Sequence, residues 1–197
     1  MKASKKSNNQ SSQSLLSEAL TSSDLESLLV QSPVVWAEAL TTLAGQPTVL
    51  EPFQIRFLND NSLNRVVVKA RQIGFSTVLS IETTHSACTR YNYSANLISV
   101  NQEEASSKLR VGASLHASIP DDMAKIGFKP PKYRDAEEAL AFHYPPYTSE
   151  VISKPGTHAL RGGAKSIYFD EAAFIEKFDR LRSEEHTSEL QSRLHLV

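Results

Sequence analysis

Apolar residues recur at helical spacing in the first third of the chain. Leu15, Leu16, Ala19 and Leu20, then Leu25, Leu28 and Leu29, predict short helices, with Ser22, Ser23 and Asp24 offering N-cap chemistry to the second. Pro33 suits the first turn of another helix, VVWAEALTTL, which Gly45 and Pro47 would end. Pro52 opens the next, with Phe53, Ile55, Phe57 and Leu58 apolar and Asn59, Asp60 and Asn61 marking the turn after it. The period then changes. Val66, Val67 and Val68 form a β-branched run between polar residues, which predicts a strand buried on both faces. A helix is expected from Ser76 to about Arg90, with Val78, Leu79, Ile81 and Ala87 inside. A second strand, Ala95 to Val100, leads into the helical pattern NQEEASSKLRVGASLHASI. Residues 120–163 lack a steady period and suggest an irregular excursion with a hairpin around Ala141 to Ser153. Order returns in SIYFDEAAF, a short apolar strand ending in two carboxylates. Strands alternating with helices predict a parallel α/β sheet.

Composition narrows the class without changing that picture. The chain has 197 residues, 40% hydrophobic, with 21 Lys+Arg against 22 Asp+Glu and a net charge of -1. No apolar run approaches the roughly 18 residues of a membrane span. A near-zero charge excludes a strongly basic nucleic-acid coat but permits a local phosphate groove. Cys88 is the single cysteine and the N-terminus lacks the apolar core of a secretory signal, so a reducing, intracellular setting is expected.

Both ends differ from the middle. Residues 1–14 are Ser, Asn, Gln and Lys with little to bury, and are expected to be disordered. Residues 182–197, RSEEHTSELQSRLHLV, resemble one translated frame of a common short-read sequencing adapter, and the natural protein is expected to continue past Leu181. His186 and His195 are therefore set aside as ligands. The expected organisation is a polar tail (1–14), an N-terminal helical segment (15–50), a partial nucleotide-binding domain (51–181) and a non-native tail (182–197).

The chemistry gathers at strand ends. VVVKARQIGFST places Gly74, Ser76 and Thr77 where a strand turns into a helix, so backbone N–H groups converge on a spot suited to phosphate. Against the phosphate-loop pattern G-x-x-x-x-G-K-[ST], Gly74 and Ser76 fit, while Lys69 stands at the first Gly and Phe75 at the Lys. Lys69 or Arg71, at the start of the loop, could fold back to supply the missing cation. An ordinary strand-to-helix turn is the alternative. Asp170 at a strand end could hold Mg2+, and Glu171 could polarise the attacking water; a solvated strand end is the alternative there. Phe53 and Gln54 stand ahead of the loop, where an aromatic-Gln pair could clamp adenine, and Arg161 in HALRGGAKS could sense phosphate charge. Cys88 is read as core packing, and His85, His116, His143 and His158 lack metal-site spacing. Tyr133, Tyr144 and Tyr147 with Lys129, Lys132 and Arg134 could face DNA, although a plain surface insertion fits them better.

Together LEPFQIRFLND, VVVKARQIGFST, NLISVNQEEASSKL and ALRGGAKSIYFDEAAF resemble the N-terminal ATPase half of tailed-phage terminase large subunits, over about residues 33–178. That family's phosphate loop is often irregular, with its cation moved upstream. The resemblance implies a P-loop NTPase fold of the RecA/ASCE type, its parallel sheet flanked by helices and truncated at the C-terminus. It implies ATP and Mg2+ as cofactors, with Phe53, Gln54, Lys69, Arg71, Gln72, Gly74, Phe75, Ser76 and Thr77 binding nucleotide. Asp170 and Ser76 would hold Mg2+, Glu171 would be the base, Lys69 or Arg71 the catalytic cation, and Arg161 a sensor. The partners implied are double-stranded DNA, the terminase small subunit, the portal protein and further copies of the chain on a prohead, in the cytoplasm of a bacterial host and without a membrane. The family's coupling motif and C-terminal nuclease domain are absent from these 197 residues. Another helicase-like ATPase, or a nucleotide-binding protein without hydrolysis, are the alternatives.

Overall fold

The structure is a computed structural model that describes residues 22–69, 73–156, 166–171, 175 and 193–196. The expected helix at 15–20, the polar tail, Arg71, Gln72, His158, Arg161 and most of 182–197 lie outside the described residues.

Helix α1 (Ser22–Gln31) leads into α2 (Pro33–Leu40), where Pro33 stands in the first turn and the Ser32 hydroxyl accepts the Val35 N–H at 3.2 Å. The expected run to Leu43 is shorter. Thr41 is extended, its hydroxyl donates to the Ala37 carbonyl at 2.7 Å and meets the Thr48 hydroxyl at 2.8 Å, and the chain leaves the helix there. Thr42–Leu43 (β1) then pairs with Gln46–Pro47 (β2) around Ala44 and Gly45, both at positive φ, as a two-residue hairpin turn needs. Helix α3 (Pro52–Leu58) starts at Pro52 as predicted and delivers the chain to β3 (Asn64–Val66).

The valine run is a correction to the sequence expectation. The strand is Asn64–Val66, with Val66 72% and Val68 98% exposed and Arg65 facing inward. The cause is position: β3 is the edge of the sheet, with one neighbour among the described residues. Arg65 can be buried because its guanidinium lies 4.0 Å from the centre of the Phe57 ring, donates to the Phe57 carbonyl at 2.8 Å and pairs with Glu82 at 2.5 Å.

Helix α4 (Phe75–Thr89) is the spine of the domain. Val78, Leu79, Ile81 and Ala87 are wholly buried as predicted, and Thr83, Thr84 and His85 on other faces are buried too. Packed against it is α5 (Gln102–Ser118), which Asn101 caps by accepting the Glu104 N–H. Contact between them is close. A Cβ at Gly112 would stand 2.5 Å from the Thr84 hydroxyl, so a side chain there would have to displace Thr84.

The seven-stranded sheet runs β3-β9-β8-β4-β7-β6-β5, with β4 Ser94–Ser99, β5 Lys132–Ala136, β6 Ala139–Tyr144, β7 Tyr147–Pro155, β8 Ser166–Phe169 and β9 Arg193–Leu196. Strands β3, β9, β8, β4 and β7 are mutually parallel. Strands β6 and β5 extend the sheet antiparallel, so it is mixed rather than wholly parallel. The hairpin expected around Ala141–Ser153 is β6–β7. Arg193–Leu196 pairs between β3 and β8 through backbone groups that any sequence carries, so the sheet has room for a strand there.

His85 gives the core a pH dependence. Its Nε2 faces the Leu29 carbonyl at 3.0 Å and its ring meets Trp36 edge-on. Burial lowers its pKa to about 4, against the partial compensation of that hydrogen bond. The unfolded chain then binds the proton more readily, so stability is full above about pH 6.5 and falls as pH drops towards 4. We expect a loss on the order of 3 kcal/mol across that window, measured by urea unfolding against pH, and a flatter profile in His85→Gln.

Candidate functional site

The ends of three parallel strands converge where the phosphate loop was expected. Gly74 is the N-cap of α4 with φ 75, a left-handed conformation that glycine adopts without strain, and α4 begins at Phe75 immediately after it. The first N–H groups of a 15-residue helix therefore open at this loop. Phe75 sends its side chain the other way. It is 3% exposed, edge-on to Phe57 at 4.8 Å between centroids and stacked with Phe53 at 6.4 Å, so in place of the usual Lys it anchors the helix to the core.

Ser76, in the first turn of α4, donates from its hydroxyl to Asp170 Oδ2 at 2.6 Å. Asp170 follows β8 directly, and its backbone N–H donates to the Ile98 carbonyl near the end of β4, at 2.9 Å, which fixes the carboxylate at the sheet's C-terminal edge. Two cations reach the same carboxylate. Lys69 Nζ lies 3.5 Å from Oδ1 and Lys108 Nζ lies 3.0 Å from Oδ2. Burial would raise the Asp170 pKa, but Lys108, the Ser76 hydrogen bond and Lys69 together outweigh it and hold the carboxyl below its ordinary range. The group is an anion at neutral pH. Its Oδ1 is buried and makes no hydrogen bond.

Glu171, the next residue, is half-buried and has φ 57. A non-glycine residue in this region stores on the order of 1 kcal/mol of backbone strain, which packing at the strand end must offset.

The sequence expectation thus brings together Ser76, Asp170 and Lys69, with Gly74, Thr77 and Glu171 in the adjoining backbone. Gln54 also stands by the loop. Its Nε2 is 3.5 Å from where a Cβ on Gly74 would lie, while its Oε1 accepts the Glu51 N–H at 2.8 Å in a capping box that starts α3. Phe53, beside it, is 38% exposed. Sequence reasoning missed Lys108. The one available signal was a lysine on the buried stripe of α5 among Ala105, Leu109, Gly112 and Leu115, where a cation demands a partner.

The remaining candidates fall elsewhere. Cys88 is buried and its pKa is raised by burial, which makes it a poor nucleophile. Among the described residues no His, Cys, Asp and Glu group has metal-site geometry of three or more ligands. Tyr133 and Tyr147 are exposed, and Lys129 and Lys132 are paired with Asp121 and Asp135, which offsets their charges. A cavity of about 530 Å³ lined by Tyr91, His116, Lys129, His143 and Tyr144 lies near the start of β4 and β7, at the opposite end of the sheet from Ser76 and Asp170. No described helix is long and apolar enough to cross a membrane.

Comparison with known proteins bears on the family and the fold. The family model described as terminase large subunit, T4likevirus-type, N-terminal, matches residues 66–185. The large terminase ATPase domain of Thermus phage P74-26 superposes with a TM-score of 0.57 at 17% identity, covering 75% of this chain and 64% of that one. A mutant of the same domain gives 0.56 at 15% identity, over 75% and 65%. No curated protein matches the chain.

Proposed function

The chain belongs to the T4likevirus-type terminase large subunit N-terminal family, which matches more than half of it, and from that premise we propose that it is the ATP-hydrolysing part of a motor that drives double-stranded DNA into a phage prohead. The chain spans 64% of the solved terminase ATPase domain it resembles, so other segments of the motor lie outside that match. The small subunit, the portal and neighbouring copies of the motor are the partners of this reading, and the host cytoplasm is its place.

One observation supports it above the rest: the Ser76 hydroxyl and the Asp170 carboxylate, 94 residues apart, meet at 2.6 Å beside a glycine-capped helix N-terminus. Phosphate fits that helix end. Mg2+ fits the oxygen donors, since Asp170 is ionised and its Oδ1 is buried without a hydrogen bond. Asp170 and Ser76 would hold the ion, which when bound would supply positive charge to offset that of the phosphates. Lys69 would turn from Asp170 Oδ1 towards the phosphates. Gly74 lets the backbone approach them closely, and Gln54 with Phe53 would meet the base. Glu171 would take the proton from the attacking water at its carboxylate oxygen, held there by the strained strand end.

The test is Mg2+-dependent nucleotide binding. The chain should bind a fluorescent ADP analogue more tightly with Mg2+ than with EDTA, and Asp170→Asn should remove most of that difference, on the order of tenfold or more. Equal binding in Mg2+ and EDTA by the unmodified chain would count against the proposal. A nucleotide-binding protein without hydrolysis predicts the same binding and is separated from it by the absence of ATP turnover in the unmodified protein.

A further inference from the structure

Lys108 has no part in the chemistry above, yet it is only 5% exposed and its ammonium is tied on three sides. Its Nζ donates to the Ser99 hydroxyl at 2.7 Å and to the Glu104 carbonyl at 3.1 Å, and lies 3.0 Å from Asp170 Oδ2. A lysine ammonium has three N–H donors, and these contacts account for all three directions. Two of them are independent of the carboxylate. Glu104 lies one turn back along α5, and Ser99 is the last residue of β4, so Lys108 would stay in place if the other partners of Asp170 changed. Lys69 differs, because it belongs to a loop outside any helix or strand and touches the other oxygen, Oδ1.

The division of the carboxylate follows from these contacts. Oδ2 is taken by Ser76 and Lys108, while Oδ1 makes no hydrogen bond and faces Lys69 alone among the described cations. A fixed positive charge beside Oδ2 orients the carboxylate and also repels a divalent cation arriving at Oδ1. In a buried setting that repulsion is large compared with its value in water. Phosphate oxygens brought by a nucleotide would offset it.

We propose that Lys108 is a positioning residue that holds Asp170 through Oδ2 and keeps the site from taking a divalent cation until a nucleotide's phosphates arrive. The inference rests on the ATPase reading of the same site. It makes metal loading depend on nucleotide, so that the empty motor does not accumulate bare cation at its catalytic carboxylate.

The experiment uses Mn2+ alone as the probe, with free Mn2+ followed by electron paramagnetic resonance and no nucleotide present. The unmodified chain should bind weakly. Lys108→Met, which keeps the apolar stem and removes the charge, should bind Mn2+ at least about tenfold more tightly. Lys108→Arg, which keeps the charge, should stay within about threefold of the unmodified chain. Adding Asp170→Asn to Lys108→Met should abolish the gain. If folded Lys108→Met binds Mn2+ no more tightly, or if its gain survives Asp170→Asn, the proposal is overturned. Should Lys108→Met fail to fold, Lys108→Gln keeps a donor for the Ser99 hydroxyl but removes the charge, and should still tighten Mn2+ severalfold; an unchanged affinity there also overturns it. The ATPase reading fails separately: unaltered Mg2+-dependent nucleotide binding in Asp170→Asn would remove the metal site itself, whereas a null result for Lys108 alone leaves that site standing.

Discussion

On the proposed ATPase reading, Glu171→Gln should lower ATP turnover by about 10²–10⁴-fold while leaving Mg2+-nucleotide binding near its original strength. The substitution keeps size and hydrogen-bonding reach but removes the ability to accept a proton at neutral pH. It also keeps the strained backbone, since glutamine gains nothing over glutamate at φ 57. A fall in turnover therefore reports the lost base rather than relaxation of the loop. Phosphate release under saturating ATP, measured beside equilibrium binding of a nucleotide analogue, separates the two effects. Unchanged turnover would place the base elsewhere, and absent turnover in both proteins would favour a binding protein without hydrolysis.

Lys69→Ala should be nearly as damaging, costing about 10²–10³-fold in turnover and weakening nucleotide binding as well. The residue at the usual lysine position is Phe75, whose side chain is committed to the aromatic cluster with Phe53 and Phe57. On the proposed ATPase reading the cation comes from elsewhere, and the Lys69 ammonium stands 3.5 Å from Asp170 Oδ1. Arg71→Ala is the matched comparison. If Lys69→Ala turns over ATP normally and Arg71→Ala does not, Arg71 is the relocated cation; if both are normal, neither supplies it.

The two motifs were legible because each is local. Gly74 at a left-handed N-cap, Ser76 one residue into a helix, and Asp170 at the end of an apolar strand are consequences of neighbouring residues. Helix α2 was overextended in the sequence expectation because its end depends on a contact across seven residues, the Thr41 and Thr48 hydroxyls, which helical propensity does not register. The valine run misled for a related reason. β-branching marks residues that suit a strand, but whether both faces are covered depends on the strand's place in the sheet, and β3 lies at its edge.

What the sequence determined by itself was the α/β class of fold, the succession of its main helices and of strands β4 and β8, and the positions Gly74 and Asp170 at a helix start and a strand end. These follow from periodicity and turn chemistry over a few neighbouring positions. The tertiary structure alone decided that Arg65 rather than Val66 faces inward, that Phe75 belongs to the core, and that Lys108 from a different helix shares the Asp170 carboxylate with Ser76 and Lys69. Each of these depends on which elements the sheet and the two central helices bring together, and a buried charge finds its partner in space rather than along the chain.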